Sequence, residues 1–250
     1  MLKRIFIAVT MIGLNVGPII AVSLQNGSKI IQAASSQPIS EKKFTTIIFD
    51  LGGVLVDEKQ VGATAEKLFP GTPAAHIMKT IYRGKSWNQF DRGTIDLKSF
   101  AQLIEQEHGF DAALTTAILS QIVAHLPLLP VGIEILKAVK AQGYKAYVLS
   151  NAYQGVYESL CQTHPAVFAL FDGEIISCDV RFIKPEREIY QALLQRYNIN
   201  PAEALFIDDL EVNIIGATAL GIDGIVCRDT NEVLQLLQQN NILSVNTPQP

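Results

Sequence analysis

The stretch Thr46-Ile47-Ile48-Phe49-Asp50-Leu51-Gly52-Gly53-Val54-Leu55-Val56-Asp57 decides the fold. Thr46 to Phe49 are β-branched or aromatic, which fits a short buried strand, and Asp50 stands at its carboxyl end. Gly52 and Gly53 then let the backbone turn sharply. In an open parallel sheet, ligands bind beyond the carboxyl ends of the strands. A carboxylate there either caps the loop or serves as a nucleophile or metal ligand. This segment alone leaves both readings open.

Beyond it the pattern turns helical. Apolar spacing predicts helices over 59–68, 72–83, 96–108 and 111–126, with Gly109 as a natural stop and Pro127 to Pro130 as a linker. From there the alternation is regular: helix 131–142, strand 144–149, helix 154–162, strand 173–177, helix 186–197, strand 204–207, helix 212–220, strand 225–227 and helix 232–240. Strands alternating with helices imply right-handed crossovers and a parallel sheet covered on both faces. The fold class is therefore α/β, with a core over 45–58 and 131–240 and a helical insertion over 59–130.

The chain has 250 residues, 48% of them apolar and 18% charged, so it can bury a sizeable core and is not disordered. A formal charge of −4 supplies no basic surplus to displace phosphate counterions, which argues against a nucleic-acid partner. Lys3 and Arg4 precede an apolar segment interrupted by Asn15, Gly17 and Pro18, and Ala33-Ala34-Ser35-Ser36 offers a small-residue cleavage site. The expectation is an export signal over 1–34 cleaved near Ser35, giving a periplasmic or secreted protein. The alternative is an uncleaved anchor, the chain's one expected association with a membrane. Cys161, Cys178 and Cys227 have no zinc-like spacing and read as buried apolar thiols.

Three more strand ends invite comparison with Asp50: Val148-Leu149-Ser150-Asn151, Phe182-Ile183-Lys184-Pro185-Glu186, and Leu205-Phe206-Ile207-Asp208-Asp209 followed by Asn213. Each has an ordinary explanation, a cap or a solvated charge. Together they lie on one edge of the sheet. A carboxylate nucleophile, a hydroxyl donor, a lysine and an acid pair that a cation would relieve then converge, a set suited to phosphoryl transfer.

In that order and spacing, Asp50-Leu51-Gly52-Gly53-Val54, Ser150-Asn151, Lys184-Pro185 and Asp208-Asp209 with Asn213 resemble the four motifs of the haloacid dehalogenase-like hydrolase superfamily. The resemblance is strongest to its phosphatase branch, which includes α-D-glucose-1-phosphate phosphatase and the N-terminal phosphatase domain of soluble epoxide hydrolase. Supporting matches are Arg92-Gly93-Thr94-Ile95-Asp96 and the run from Arg181 to Tyr190. The resemblance implies a Rossmann-like core, a helical cap inserted after the first motif, and hydrolysis of a small phosphate monoester with Mg²⁺. It makes Asp50 the nucleophile. It gives the metal to Asp50, the Gly52 carbonyl, Asp208 and Asp209, with Asn213 behind them. Phosphate falls to Ser150, Asn151 and Lys184, and Lys184 also holds Asp50.

One departure stands out. Most phosphatases of that superfamily carry an acid/base Asp two residues after the nucleophile, where this chain has Gly52, a glycine that the resembled sugar-phosphate phosphatases tolerate. Losing such a group typically costs about 10²–10⁴-fold in rate. Either the leaving group is easy, such as an anomeric sugar oxygen, or another residue supplies the proton; Asp57, His76 and Asp91 are candidates. Two rival functions follow: a metal-independent haloacid dehalogenase, and a non-catalytic module that binds a phosphate ligand. Tyr82, Trp87, Phe90 and Tyr153 are candidate contacts to the leaving group.

Overall fold

The computed structural model describes residues 20–25, 28–32, 39–41 and 43–244. Among the described residues seven strands form one sheet: β1 (Ile20–Gln25), β2 (Ser28–Gln32), β3 (Thr46–Phe49), β4 (Lys145–Ser150), β5 (Gly173–Ile176), β6 (Ala204–Asp208) and β7 (Asp223–Val226), in the order β1-β2-β7-β6-β3-β4-β5. β7, β6, β3, β4 and β5 run parallel, as the helix–strand alternation requires. Successive residues of β3 serve opposite faces of the sheet. Ile47 and Phe49 pack with Leu136 and Val139 of helix Pro130–Ala141 and with Leu236 of helix Thr230–Gln239. Ile48 packs on the other side with Tyr190 of helix Arg187–Arg196 and Ile214 of helix Glu211–Thr218. Burial on both faces explains why the strand reads as an unbroken apolar run.

The insertion is helical, with helices Val61–Leu68, Ala74–Ile81, Trp87–Asp91, Leu97–His108 and Ala112–Gln121. Asp96 and Asp111 cap the last two by accepting from Ser99 N and Leu114 N, and Gly109 ends the former in the left-handed region. The expected helix over 111–126 stops at Gln121 and passes into a 3₁₀ turn, Val123–His125. The expected linker is shorter than the sequence suggests, because Pro130 is the first residue of the next helix, where its missing N–H costs nothing. Residues 127–129 instead pair with the chain leaving β3: Asp57 N donates to Pro127 O at 2.8 Å and Leu129 N to Leu55 O at 2.8 Å. Cap and core are thus joined by two hydrogen-bonded linkers.

Part of the N-terminal segment belongs to the sheet. Of the expected export signal or anchor over 1–34, residues 1–19, 26–27 and 33–34 lie outside the described residues, while β2 falls within it. It pairs antiparallel with β7 through Lys29↔Val226, Ile30↔Ile225 and Ile31↔Gly224. Ile30, Ile31 and Gln32 are buried. Ser28 N donates to Glu232 Oε2 at 2.9 Å, Ser28 Oγ accepts from Arg228 N at 2.9 Å, and Lys29 pairs with Glu211. Residues 28–32 are therefore part of the sheet, and a cut near Ser35 would take a strand away. No helix among the described residues is long and apolar enough to cross a membrane.

Candidate active site

Parallel register brings the motifs together. Phe49 lies opposite both Val148 and Ile207, so Asp50, Leu149 and Asp208 lie side by side at the carboxyl edge of the sheet. Asp50 N donates to Ile207 O at 2.9 Å, and its own Oδ1 accepts from Leu51 N at 2.7 Å. Lys184 arrives from the loop before helix Arg187–Arg196. Its Nζ contacts Asp50 Oδ1 at 2.8 Å and Asp208 Oδ2 at 2.7 Å, and donates to Leu149 O at 2.9 Å. Burial opposes the charge on this ammonium, but the carboxylates of Asp208 and Asp50 outweigh it and move the pKa upward. Lys184 is therefore a fixed cation beneath Asp50.

Asn151 holds the lysine in place: its Oδ1 accepts from Lys184 N at 2.7 Å and its Nδ2 donates to Lys184 O at 3.1 Å. Asp208 is engaged on both oxygens, by Lys184, by Leu210 N at 2.7 Å, and by Asn213 Nδ2 at 3.0 and 3.1 Å. Its lone pairs go to orienting Lys184, and Asn213 in turn orients Asp208. Ser150 is buried at the end of β4 and lines the cavity above Asp50 together with Asn151 and Asn213.

Asp209 differs from its neighbour. Its Oδ1 is buried with no hydrogen-bond partner, while Oδ2 takes a 3.3 Å contact from Arg83 Nη2. Burial and then the Asp50 charge push its carboxyl pKa upward. Asp50, Asp208 and Asp209 each bring a carboxylate oxygen within 4.8 Å of the others. Gly53 makes the approach possible: it has φ +67°, and a Cβ there would lie 2.8 Å from the Asp209 Cβ. An orphaned carboxylate oxygen within a cluster of carboxylates fits a hard divalent cation such as Mg²⁺, which takes oxygen ligands.

A residue the sequence reasoning missed stands over Gly52. A Cβ built on Gly52 would fall inside the Glu58 carboxylate, 2.5 Å from Oε2 and closer still to the other two atoms. The absent side chain at 52 is therefore replaced in space by a carboxylate from six residues later, on the 3₁₀ turn Glu58–Gln60. Glu58 Oε2 accepts from Arg83 Nη2 at 2.6 Å, and Tyr82 hydrogen-bonds the same carboxylate. Glu58 lies deep between cap and core yet keeps 26% of its side-chain surface accessible through the cleft. Burial raises its pKa; Arg83 and Tyr82 pull it down, Asp50 and Asp209 push it up, and the net shift is upward. The available signal was position: Glu58 is one of two acids between the turn and the first cap helix.

The other acid, Asp57, caps that turn by accepting from Lys59 N at 3.2 Å and does not line the cavity above Asp50. His76 is exposed and packs edge-on to Phe110. Asp91 does line the cavity, and burial, then the Glu58 charge, push its carboxyl up to about 8. Tyr82, Trp87 and Tyr153 also line it, whereas Phe90 is stacked between Phe100 and Tyr153 at 4.4 and 4.3 Å and belongs to the packing behind. The two supporting sequence matches touch each other: Arg92 grips Glu186 at 2.7 and 2.5 Å and donates to Arg181 O at 3.1 Å, joining cap to core.

The model of the haloacid dehalogenase-like hydrolase family matches residues 44–221, which is most of the chain. The chain belongs to the haloacid dehalogenase-like hydrolase family. It is a hydrolase with the family's α/β core and inserted helices. Among curated relatives it is 28% identical over 196 residues to the sesquiterpene phosphatase astK of Aspergillus oryzae, covering 78% of this chain and 96% of that one. A HAD family enzyme of Bacteroides thetaiotaomicron, solved with magnesium and inorganic phosphate, superposes with a TM-score of 0.55 at 24% identity over 72% of this chain and 92% of that chain. L-2-haloacid dehalogenase of Xanthobacter autotrophicus superposes at 0.58 with 20% identity over 72% and 75%. Both likenesses speak for the fold.

Proposed function

We propose that this hydrolase is a Mg²⁺-dependent phosphatase of a small phosphate monoester, acting through an aspartyl-phosphate on Asp50. The observation that carries this reading is the unpartnered, buried Oδ1 of Asp209, in a carboxylate that clusters with Asp50 beside the fixed ammonium of Lys184. Phosphoryl transfer needs positive charge where the phosphate oxygens sit. Asp50, the Gly52 carbonyl and Asp209 would hold the ion, which supplies part of that charge when bound. Lys184 supplies the rest, and Ser150 Oγ with the Asn151 backbone binds the remaining phosphate oxygens. Because Lys184 and Leu51 N both engage Asp50 Oδ1, attack on phosphorus falls to Oδ2.

The P–O bond to the substrate oxygen breaks as the bond to Asp50 forms, and the departing alkoxide needs a proton. The Glu58 carboxyl, protonated to a higher pH than an ordinary glutamate, is placed to give it. As a carboxylate it then takes a proton from the water that cleaves the aspartyl-phosphate, which resets the site. That role answers the doubt raised by Gly52 and weighs against a non-catalytic module. The acid pair weighs against dehalogenation, which needs no cation to relieve it. The test is phosphate release from a panel of esters with Mg²⁺ and again with EDTA, alongside halide release from 2-haloacids. Metal-dependent phosphate release is expected; metal-independent halide release without phosphate release would reverse the assignment.

A further inference from the structure

We propose that the leaving group is an apolar alkyl or prenyl chain, so that the substrate is a long-chain phosphate monoester rather than a sugar phosphate; the proposal rests on the phosphatase reading. A cavity of about 370 Å³ opens above Asp50, within the range of small-molecule sites. One end carries the phosphate-binding groups. The walls leading away are apolar, with Val61 and Met78 from the cap helices, Ile122 and Leu126 around the 3₁₀ turn, Trp87 beside the stack, and Leu160 from the core.

Apart from Asn88, the polar side chains on these walls have hydrogen-bond or ion-pair partners. The Tyr153 hydroxyl donates to Leu119 O at 2.9 Å, leaving only its ring for the cavity. Glu58, Tyr82 and Arg83 bond one another, and Asp91 takes a hydrogen bond from Trp87. Asn88 is exposed. A sugar ring pressed against such walls would give up water at several hydroxyls without replacement, and each unpaired hydroxyl lowers affinity by about 5- to 150-fold. An alkyl chain loses nothing there, and each methylene moved out of water strengthens binding about four-fold.

The experiment is a homologous series of n-alkyl phosphates, ethyl to decyl, compared with glucose 1-phosphate in the presence of Mg²⁺. kcat/KM should climb about four-fold per methylene until the cavity is filled, with glucose 1-phosphate below butyl phosphate. A flat or falling series, or fastest turnover of the sugar phosphate, overturns the proposal. Calorimetric binding of the matching n-alkylphosphonates separates the two readings. If no ester is hydrolysed but phosphonate affinity rises with chain length, the phosphatase reading falls and the apolar pocket stands. If affinity does not depend on chain length, the apolar pocket falls whatever the enzyme hydrolyses. Val123→Asn and Val156→Asn, at partly buried wall positions, should each flatten the series.

Discussion

Replacing Glu58 by Gln tests the site most sharply, because it keeps the side chain's shape and removes only its ability to exchange a proton. The Glu58 carboxylate fills the space above Gly52 and bonds Arg83 and Tyr82, so an isostere leaves no hole next to the nucleophile. Removal of a positioned acid/base costs about 10²–10⁴-fold, or roughly 3–5 kcal/mol of barrier. That full loss should appear with alkyl phosphates, whose leaving oxygen needs the proton. With p-nitrophenyl phosphate the first step should be nearly unaffected, since nitrophenolate leaves unprotonated. The second step still lacks its base, so stopped-flow should show a burst of nitrophenol followed by slow turnover as the aspartyl-phosphate accumulates. The pH profile carries a second sign. Because the Glu58 pKa is raised, its acid form persists above the usual glutamate range, and kcat/KM for alkyl phosphates should fall as pH climbs through that raised value. Glu58→Gln should abolish this limb. Arg83 bridges Glu58 and Asp209, so the competing explanation is release of Arg83 onto the Asp209 carboxylate. Equal losses for both substrates, no burst, and rescue by excess Mg²⁺ would refute the proton-transfer reasoning.

Two other outcomes are expected elsewhere in the fold. Truncation to residues 35–250 removes β2, and with it the burial of Ile30 and Ile31, about 1.5–3 kcal/mol each against a total stability of about 5–15 kcal/mol. Urea unfolding should show a large drop in midpoint, and an unchanged midpoint would mean that the strand contributes nothing. At the other edge, burial opposes ionisation of Asp172, but Lys140, the Ala146 N–H and Lys145 outweigh it and hold its carboxyl at about 2. A carboxyl depressed in the folded state stabilises above its unfolded pKa of about 3.9 and loses that stabilisation as pH falls toward the folded value. Asp172→Asn should cost about 1–2 kcal/mol at pH 7, after allowance for solvent screening of the exposed Lys145. The gap from the unmutated protein should shrink between pH 4 and pH 2, and a gap that stays constant over that range would show that the ion pairs are not its source.

The core was legible in the sequence because it depends on local patterns with one physical meaning. A strand buried on both faces must be apolar, as 47–49, 146–149 and 204–207 are. The residues that follow such strands must meet on one edge, and Asp50, Lys184 and Asp208 do meet, through contacts of 2.7 and 2.8 Å. Two kinds of feature were hidden. β2 belongs to a sheet by pairing with β7 almost two hundred residues later, and no local signal separates so short a strand from the polar stretch that follows an apolar leader. The division of labour within the acid pair was hidden too. Asp208 and Asp209 are chemically the same, and only the folded hydrogen bonds show that one is saturated and the other keeps an oxygen free.

Gly52 and Glu58 join these threads. Compared position by position with most phosphatases of the superfamily, Gly52 is a missing function. A reaction site is a set of atoms in space, and the space over residue 52 holds a carboxylate whichever backbone position it comes from. Glu58 enters only because Gly52 has no Cβ, so the glycine is the condition for the glutamate's place and the two cannot be exchanged singly. Gly52→Asp alone should force Glu58 outward, break its 2.6 Å contact with Arg83, and lower activity. Gly52→Asp combined with Glu58→Gly should deliver a carboxylate to the same region from the neighbouring position and recover alkyl-phosphate turnover relative to either single variant. If the double variant is no better than the worse single one, the two side chains do not share a task and the spatial replacement is only packing.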